Sequence, residues 1–385
     1  MGKTRLSTLF YTGVVLLVVF ELARVYFIMP LPGSQRMRSI DLAYWLHTWR
    51  WALRSLFGLM IAAGVVAAWR GRLWRKVVVP ASLALTSLAA YGSNVTMSAD
   101  RIFIAPDSVV MKPESQNVVE MARLVVGIEI DGQARAYPVQ FIGYHHQVRD
   151  VVAGKPVLVS FCTVCRTGRV FSPVVDGKVE SFRLVGMDHF NAMFEDATTG
   201  TWWRQANGEA VVGALKGKRL DEIDSRQVSL YQWLQLHPTS LIMQPDSALA
   251  SRYSKSFDYE TGRSRSSLTG SDSASWNEKS WVVGITVNGA SRAYDWNRLK
   301  REWVVNDTLG GKPIVLALAA DTVSFFAFVR PHAAPLSARN DSLISPTSTW
   351  SFAGRSASAA PLEPLRASQE FWHSWRTFQS STSRY

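Results

Sequence analysis

The chain has 385 residues, 47% hydrophobic and 19% charged, with a formal net charge of +12. That length is room for two domains or more, and two cysteines exclude a multi-disulfide framework. The basic surplus lies beside apolar segments, with no basic patch interleaved with aromatics and no nucleic-acid motif. It therefore reads as a membrane topology signal and excludes a nucleic-acid partner.

Residues 1–93 read as a membrane anchor of three transmembrane helices, which makes the lipid bilayer the first expected partner. The run "TLFYTGVVLLVVFELARVYFIM" at 8–29 reaches the roughly 20 apolar residues a crossing needs. Within it Glu21 and Arg24 stand three apart, share a helix face and are placed to pair. Further spans are expected at about 51–69 and 77–93. The loop between them, "RGRLWRKV", carries Arg70, Arg72, Arg75 and Lys76 and reads as cytoplasmic. Three spans then place the C-terminal part outside, as in an integral protein of a bacterial inner membrane with an extracytoplasmic domain. Trp45, Trp49, Trp51, Trp69 and Trp74 mark the span ends as an interfacial belt. Asn94-Val95-Thr96 matches a glycosylation acceptor but sits at the membrane edge and is discounted.

Beyond the anchor the chain repeats itself. "VVGIEIDGQARAYPVQFIGYHHQVRDVVAGKPVLVSFCTVCRTGRVF" (125–171) aligns without a gap on "VVGITVNGASRAYDWNRLKREWVVNDTLGGKPIVLALAADTVSFFAF" (282–328), at an offset of 157 (284 − 127). Gly127/Gly284, Tyr137/Tyr294 and Asp150/Asp307 are among the identical pairs. More loosely, 199 onward resembles 347 onward, and "LYQWLQLHP" at 230 resembles "FWHSWRTFQ" at 371. The expected organisation is a first repeat unit at 94–247, a linker or long loop at 248–280 and a second, degenerate unit at 281–385. Each copy opens on an apolar run, a two-residue Asp131-Gly132 or Asn288-Gly289 turn and an alternating run, which predicts a hairpin with a type I′ turn. Short helices are predicted after Pro138 and over 229–237. The predicted fold class is α+β, an antiparallel-strand-rich duplicated extracytoplasmic domain preceded by three transmembrane helices.

The only cysteines, Cys162 and Cys165, end the apolar run of the first copy; the second copy has Ala319 and Thr322 there, and Glu302 and Trp303 at the places of His145 and His146. Copy two keeps the turn residues and loses every thiol and imidazole of the region. The inference is that copy one holds a site and copy two is its structural partner. Three chemistries fit. Two thiolates bind a copper or zinc ion with an imidazole from His145 or His189 completing the shell. Alternatively the pair cycles between dithiol and disulfide, with Arg166 and Arg169 favouring thiolate. Or the pair is a structural disulfide in a non-enzymatic interaction module. Arg166 stands where haem attachment needs histidine, so no haem is expected, nor a nucleotide. Gly168 and Arg166 predict an open loop. His145 and His146 are adjacent, about 100° apart on a helix, so only one serves the site. Met187 and Met193 read as core, Asp188, Glu195 and Asp196 as a solvated face, and Trp202 and Trp203 as packing residues. A small molecule or protein is the unidentified further partner.

The Ala-Tyr-Pro at 136–138, the aromatic–histidine pair Tyr144-His145, the Cys-x-x-Cys after a strand and the segment "TGTWWRQANGEAVVGALKG" together resemble the domain of unknown function 3179 family. The resemblance covers roughly residues 100–385 and leaves out the spans. It implies no activity, and it favours His145 over His146 as a site residue.

Overall fold

A computed structural model describes residues 2–70 and 72–385. The chain divides into two compact units. One gathers the chain up to Ile104 with Phe182–Trp203 and Ala210–Lys218; the other holds Ala105–Ser181, Arg204–Glu209 and Arg219–Tyr385.

The first unit begins with helices α1 (Gly2–Tyr26), α2 (Ile40–Thr48), α3 (Arg50–Trp69) and α4 (Arg75–Tyr91). Two of these, over Thr4–Tyr26 and Arg50–Trp69, are long and apolar enough to cross a membrane. The third expected span, about 77–93, is not among them. α4 has 17 residues with Pro80 inside and passes into a π-helical turn at Gly92–Thr96. At 1.5 Å per residue it rises about 26 Å, short of a hydrocarbon core of about 30 Å. Val15, Leu16, Leu59, Val77 and Leu88 point outward from these helices and are exposed. Inside, Glu21 accepts from Arg54 Nε (2.6 Å), Arg24 Nη1 (3.1 Å) and Asn94 Nδ2 (3.0 Å). The Asn94 side chain is thus bound up in the helix bundle.

The first copy opens with β1 (Leu124–Ile130) and β2 (Gln133–Pro138), the expected hairpin, turned at Asp131 (φ 48°) and Gly132 (φ 78°). Helix α5 (Val139–His145) leads into the antiparallel strands β3 (Gln147–Val152), β4 (Lys155–Cys162) and β5 (Thr167–Phe171). A four-stranded sheet follows, β6 (Phe182–Asp188), β7 (Asn191–Asp196), β8 (Trp202–Arg204) and β9 (Ala210–Val212), nearly all of it in the first unit. There Val185, Met193, Trp202 and Val212 share a core with Ala43 of α2. The chain returns through β10 (Arg226–Ser229), antiparallel to β1, helix α6 (Leu230–Leu236) and β11 (Leu241–Met243), parallel to β2.

The second half runs β12 (Trp281–Val287), β13 (Ala290–Asp295), α7 (Trp296–Glu302), β14 (Val304–Leu309), β15 (Lys312–Leu318) and β16 (Phe325–Val329). A short sheet of β17 (Ser337–Arg339), β18 (Ser342–Ile344) and β19 (Thr349–Ser351) precedes β20 (Ala367–Phe371), α8 (Trp372–Phe378) and β21 (Ser383–Arg384). The strand order β20-β12-β13-β21 repeats β10-β1-β2-β11, with the same antiparallel and parallel pairings. Side chains repeat too. Tyr137 donates to Asp150 (2.7 Å) and Tyr294 to Asp307 (2.8 Å). Trp233 lies over Gly127 and donates to Ser240 Oγ; Trp375 lies over Gly284 and donates to Thr382 Oγ1, both at 2.8 Å. These tryptophans correct the expected match of the last helices by one residue: Trp233 corresponds to Trp375, and Ser229 to Phe371.

The segment 248–280 contains no strand, yet it is fixed. Tyr253 and Glu260 are buried, and Glu260 accepts from Arg123 Nη1 (2.8 Å) and Leu124 N (2.6 Å). The result is a strap laid over the first copy.

Candidate functional site

Strand β4 is buried from Val157 to Phe161 and delivers Cys162 to its end. Cys162 pairs with Thr167, which closes a four-residue loop, Thr163-Val164-Cys165-Arg166. The second copy closes the same loop, with Ala319 N donating to Ser324 O (2.8 Å). Both cysteines are thiols in the structure and fully buried, at 0% exposure, and Arg166 is at 1%. The expected open loop is therefore corrected to a sealed one, and the sealing has a clear cause. Three of the four loop carbonyls are taken by distant segments. Thr163 O accepts from Tyr259 Oη of the strap (3.0 Å), Val164 O from His373 Nε2 (3.1 Å) and Cys165 O from Phe371 N (3.0 Å). Thr167 Oγ1 meets Ser374 Oγ at 3.2 Å.

Arg166 occupies left-handed backbone (φ 58°), which costs a bulky residue energy unless its surroundings hold it there. They do. Its guanidinium donates to Gln369 Oε1 (2.8 Å), Tyr259 O (2.9 Å) and Glu260 O (3.2 Å), and stacks 3.7 Å from the Trp281 ring centroid. Burial lowers its pKa, opposed by Glu260 nearby. Arg169 is also buried; it donates to Ala206 O (3.0 Å) and pairs with Glu370. Burial alone would lower its pKa, but Glu370, Glu222 and, less strongly, Cys165 raise it. Tyr259 is pushed up by burial, with a smaller contribution from the two cysteines. The Arg169 guanidinium and the Tyr259 phenol thus stand within electrostatic reach of the thiols, and the Arg166 guanidinium is buried beside them in the chain.

His145 and His146 end α5. His146 is left-handed (φ 61°), like its counterpart Trp303 (φ 62°). Its carbonyl accepts from Phe161 N (3.1 Å), which joins this corner to the residue before Cys162. His145 Nε2 is 2.8 Å from Tyr253 Oη, and His146 Nδ1 is 2.9 Å from Gly143 O. A carbonyl only accepts, so His146 Nδ1 carries the proton. Burial holds His146 down at about 4, hence neutral. Both imidazoles are buried.

His189 belongs to the first unit, on the β6–β7 turn, with Nδ1 2.7 Å from Asp188 Oδ1. Among the described residues no group of three or more His, Cys, Asp or Glu side chains is gathered as a metal site. The acidic residues read as a solvated face are bonded in the interior instead. Asp196 accepts from Trp203 Nε1 (2.8 Å), and Glu195 from Trp202 Nε1 (2.7 Å) and His47 (3.0 Å). Burial would raise Glu195, but those bonds and the Arg183 charge outweigh it and hold it at about 2.

Sequence reasoning missed Tyr253, Tyr259, Gln369, Phe371 and His373, all of which touch the thiol corner or its histidines. The one available signal was aromatic: Tyr253, Phe257 and Tyr259 interrupt a serine-rich run. No curated protein and no solved structure matches the chain. The family model described as a protein of unknown function (DUF3179) matches residues 105–382, from ahead of β1 through the last helix, with the thiol corner and the strap inside it. The chain belongs to that family.

Proposed function

We propose that this is a membrane-anchored protein whose first copy binds one soft transition-metal ion through the thiolates of Cys162 and Cys165. The observation that carries this reading is the comparison of the two loops. Both copies keep the closure, Cys162 with Thr167 and Ala319 with Ser324, but only one keeps donor atoms. A pair of buried thiols used for packing alone has no need of two buried guanidiniums close by. A bis-thiolate metal centre carries negative charge, and Arg166 and Arg169 offset it. Thiolates select copper(I) and zinc. Of the two, copper(I) is satisfied by two soft donors, whereas zinc requires four ligands, so copper fits the two-donor corner better. His145, held by Tyr253, is the candidate for a third donor.

The experiment is elemental analysis of the full chain in detergent, with thiol titration before and after reductant. Close to one copper per chain is expected, lost in Cys162→Ser/Cys165→Ser while the unfolding transition stays in place. No metal, and a thiol count that rises on reduction, would replace this reading by the disulfide one. A thiol–disulfide oxidoreductase is the second reading. It requires an external thiolate to reach a sulfur, and the burial of both cysteines opposes that.

The duplication of 94–247 in 281–385 is part of the same proposal, supported by the repeated strand order and the repeated Tyr–Asp and Trp–Gly pairs. So is an extracytoplasmic placement of the repeats. That placement requires α4 and its π-helical continuation to complete a third crossing, with the basic loop at 70–76 held inside. A reporter active only in the cytoplasm, fused after Tyr385, is then silent; a strong signal reverses the topology.

A further inference from the structure

A cleft of about 610 Å³ opens between α5 and the strap, within the size range of small-ligand pockets. One wall is apolar and aromatic, made by Val139, Gly143, Tyr144 and Tyr259. Its floor reaches Thr163, between the two cysteines, whose carbonyl is bound by Tyr259. The opposite rim carries Arg252, Arg263 and Arg265. Two carboxylates also line it, and both are committed: Asp258 pairs with Arg263 at 3.1 Å, and Glu260 with Arg123 at 2.8 Å. Arg252 and Arg265 therefore set the sign of the cleft.

The second copy supplies an internal control. Its own cleft lies at the matching place, lined by Trp296, Asn297 and Lys300 where the first copy has Val139, Gln140 and Gly143. That cleft is about 280 Å³. Bulk at the first and third of these positions fills the space that the first copy leaves open. Gly143 is the opening residue, since a Cβ there would meet Thr163 Cγ2 at 3.1 Å.

We infer that this cleft binds a small organic anion, a carboxylate or phosphate ester, with its charged group on Arg252 and Arg265 and its apolar body against Tyr144 and Tyr259. Guanidinium suits both anions because it offers paired donors in a planar fork. The aromatic wall recognises the rest of the molecule. The inference stands on the cleft alone and does not depend on metal at the cysteines. It adds a ligand that presses on the loop carrying them.

Calorimetric titration of the full chain in detergent with phenyl phosphate, inorganic phosphate and benzoate tests it. Saturable binding is expected for phenyl phosphate and benzoate, with phenyl phosphate at least about tenfold tighter than inorganic phosphate. Arg252→Ala and Arg265→Ala should each weaken binding about tenfold, as expected for loss of one charge-assisted contact. Gly143→Lys, which installs the second copy's residue, should abolish it. Both arginines are exposed, so their removal leaves the fold intact. No saturable binding of phenyl phosphate, or binding unchanged in the arginine variants, overturns the site. Equal affinity for phenyl phosphate and inorganic phosphate overturns the organic body of the ligand. None of these variants alters a cysteine, so the outcome is separate from that of the copper measurement.

Discussion

Replacing Gly127 by alanine should cost about 3 kcal/mol, and the reason is geometric. A Cβ built on Gly127 lies 2.4 Å from Trp233 Cε3 and 2.5 Å from Cζ3. Carbon atoms in contact sit about 3.5 Å apart, so the new methyl is about 1.1 Å too close. Neither side can yield cheaply. Strand β1 is paired on both edges, with β10 and β2. The Trp233 ring is held by its Nε1–Ser240 Oγ bond and is 1% exposed. Overpacking of this kind costs about 1–3 kcal/mol, and breaking the tryptophan hydrogen bond adds about 1 kcal/mol. For a unit of this size about 3 kcal/mol lowers Tm by roughly 6–12 °C. Gly284→Ala should behave alike, since its Cβ would fall 2.1 Å from Trp375 Cε3. The assay is thermal unfolding of the full chain in detergent, followed by tryptophan fluorescence. A shift below about 1 °C in either variant would refute the claim that the two glycines are the floor of equivalent tryptophan sites.

Tyr137→Phe and Tyr294→Phe should each lose about 1.5–3 kcal/mol in denaturant unfolding, the value of a hydrogen bond to a carboxylate; a loss in only one would break the equivalence of Asp150 and Asp307. Arg166→Ala leaves Gln369 Oε1, Tyr259 O and Glu260 O without their donor, and should raise protease sensitivity of the strap near residue 260 by at least about tenfold, since one uncompensated buried acceptor costs about 1–3 kcal/mol. Unchanged cleavage would show that the strap does not depend on it. Stability should fall with acid in two windows. His146 is held at about 4 against an ordinary 6.5. The unfolded chain binds its proton first, so that contribution is whole above 6.5 and is lost as pH falls to about 4. Glu195, at about 2 against 4.5, gives a contribution present above 4.5 and lost as pH falls to about 2. Glu195→Gln should flatten only the lower window in a pH series of unfolding midpoints, and a flattened upper window would refute the assignment.

The parts of the fold legible in the sequence are those fixed by neighbours in the chain. Asp131-Gly132 and Asn288-Gly289 specify their hairpins because left-handed backbone at both central positions leaves few other residues. The gapless offset over 125–171 carries the order of five strands into the second copy. Legibility ends where a partner comes from far along the chain. The loop at 163–166 looks open, with Gly168 beside it, because what seals it is Tyr259, Phe371 and His373, about 100 to 200 residues away in sequence. The polar run after residue 254 reads as a linker because the half-buried Tyr259 and the buried Glu260 are isolated among polar residues. The last helices align one residue out of register by sequence because tryptophan, not the flanking leucines, is what repeats. Periodicity likewise does not distinguish α4, with its proline and π-helical end, from a full crossing.

The two loops are also tied to each other across the two halves. Phe371 is the residue before α8, and its amide holds Cys165 O; Ser229 is the residue before α6, and its amide donates to Ser324 Oγ (2.9 Å) in the second loop. Each copy therefore steadies the other's loop with the start of its own last helix. In the second loop the Asp321 carboxylate also gathers donors, accepting from Val323 N (3.0 Å) and Ser324 N (2.8 Å) within the loop and from Ser229 Oγ (2.7 Å) at the start of α6. The first loop has Val164 at that position, and a carboxylate there would add a charge beside the thiols. The carbonyls of the first loop, which a carboxylate could not satisfy, accept instead from His373 and Phe371 of the second half and from Tyr259 of the strap. The second half carries no thiol at the matching loop, yet the start of its α8 is what holds the carbonyls of Val164 and Cys165, so removing that start would release the cysteine loop.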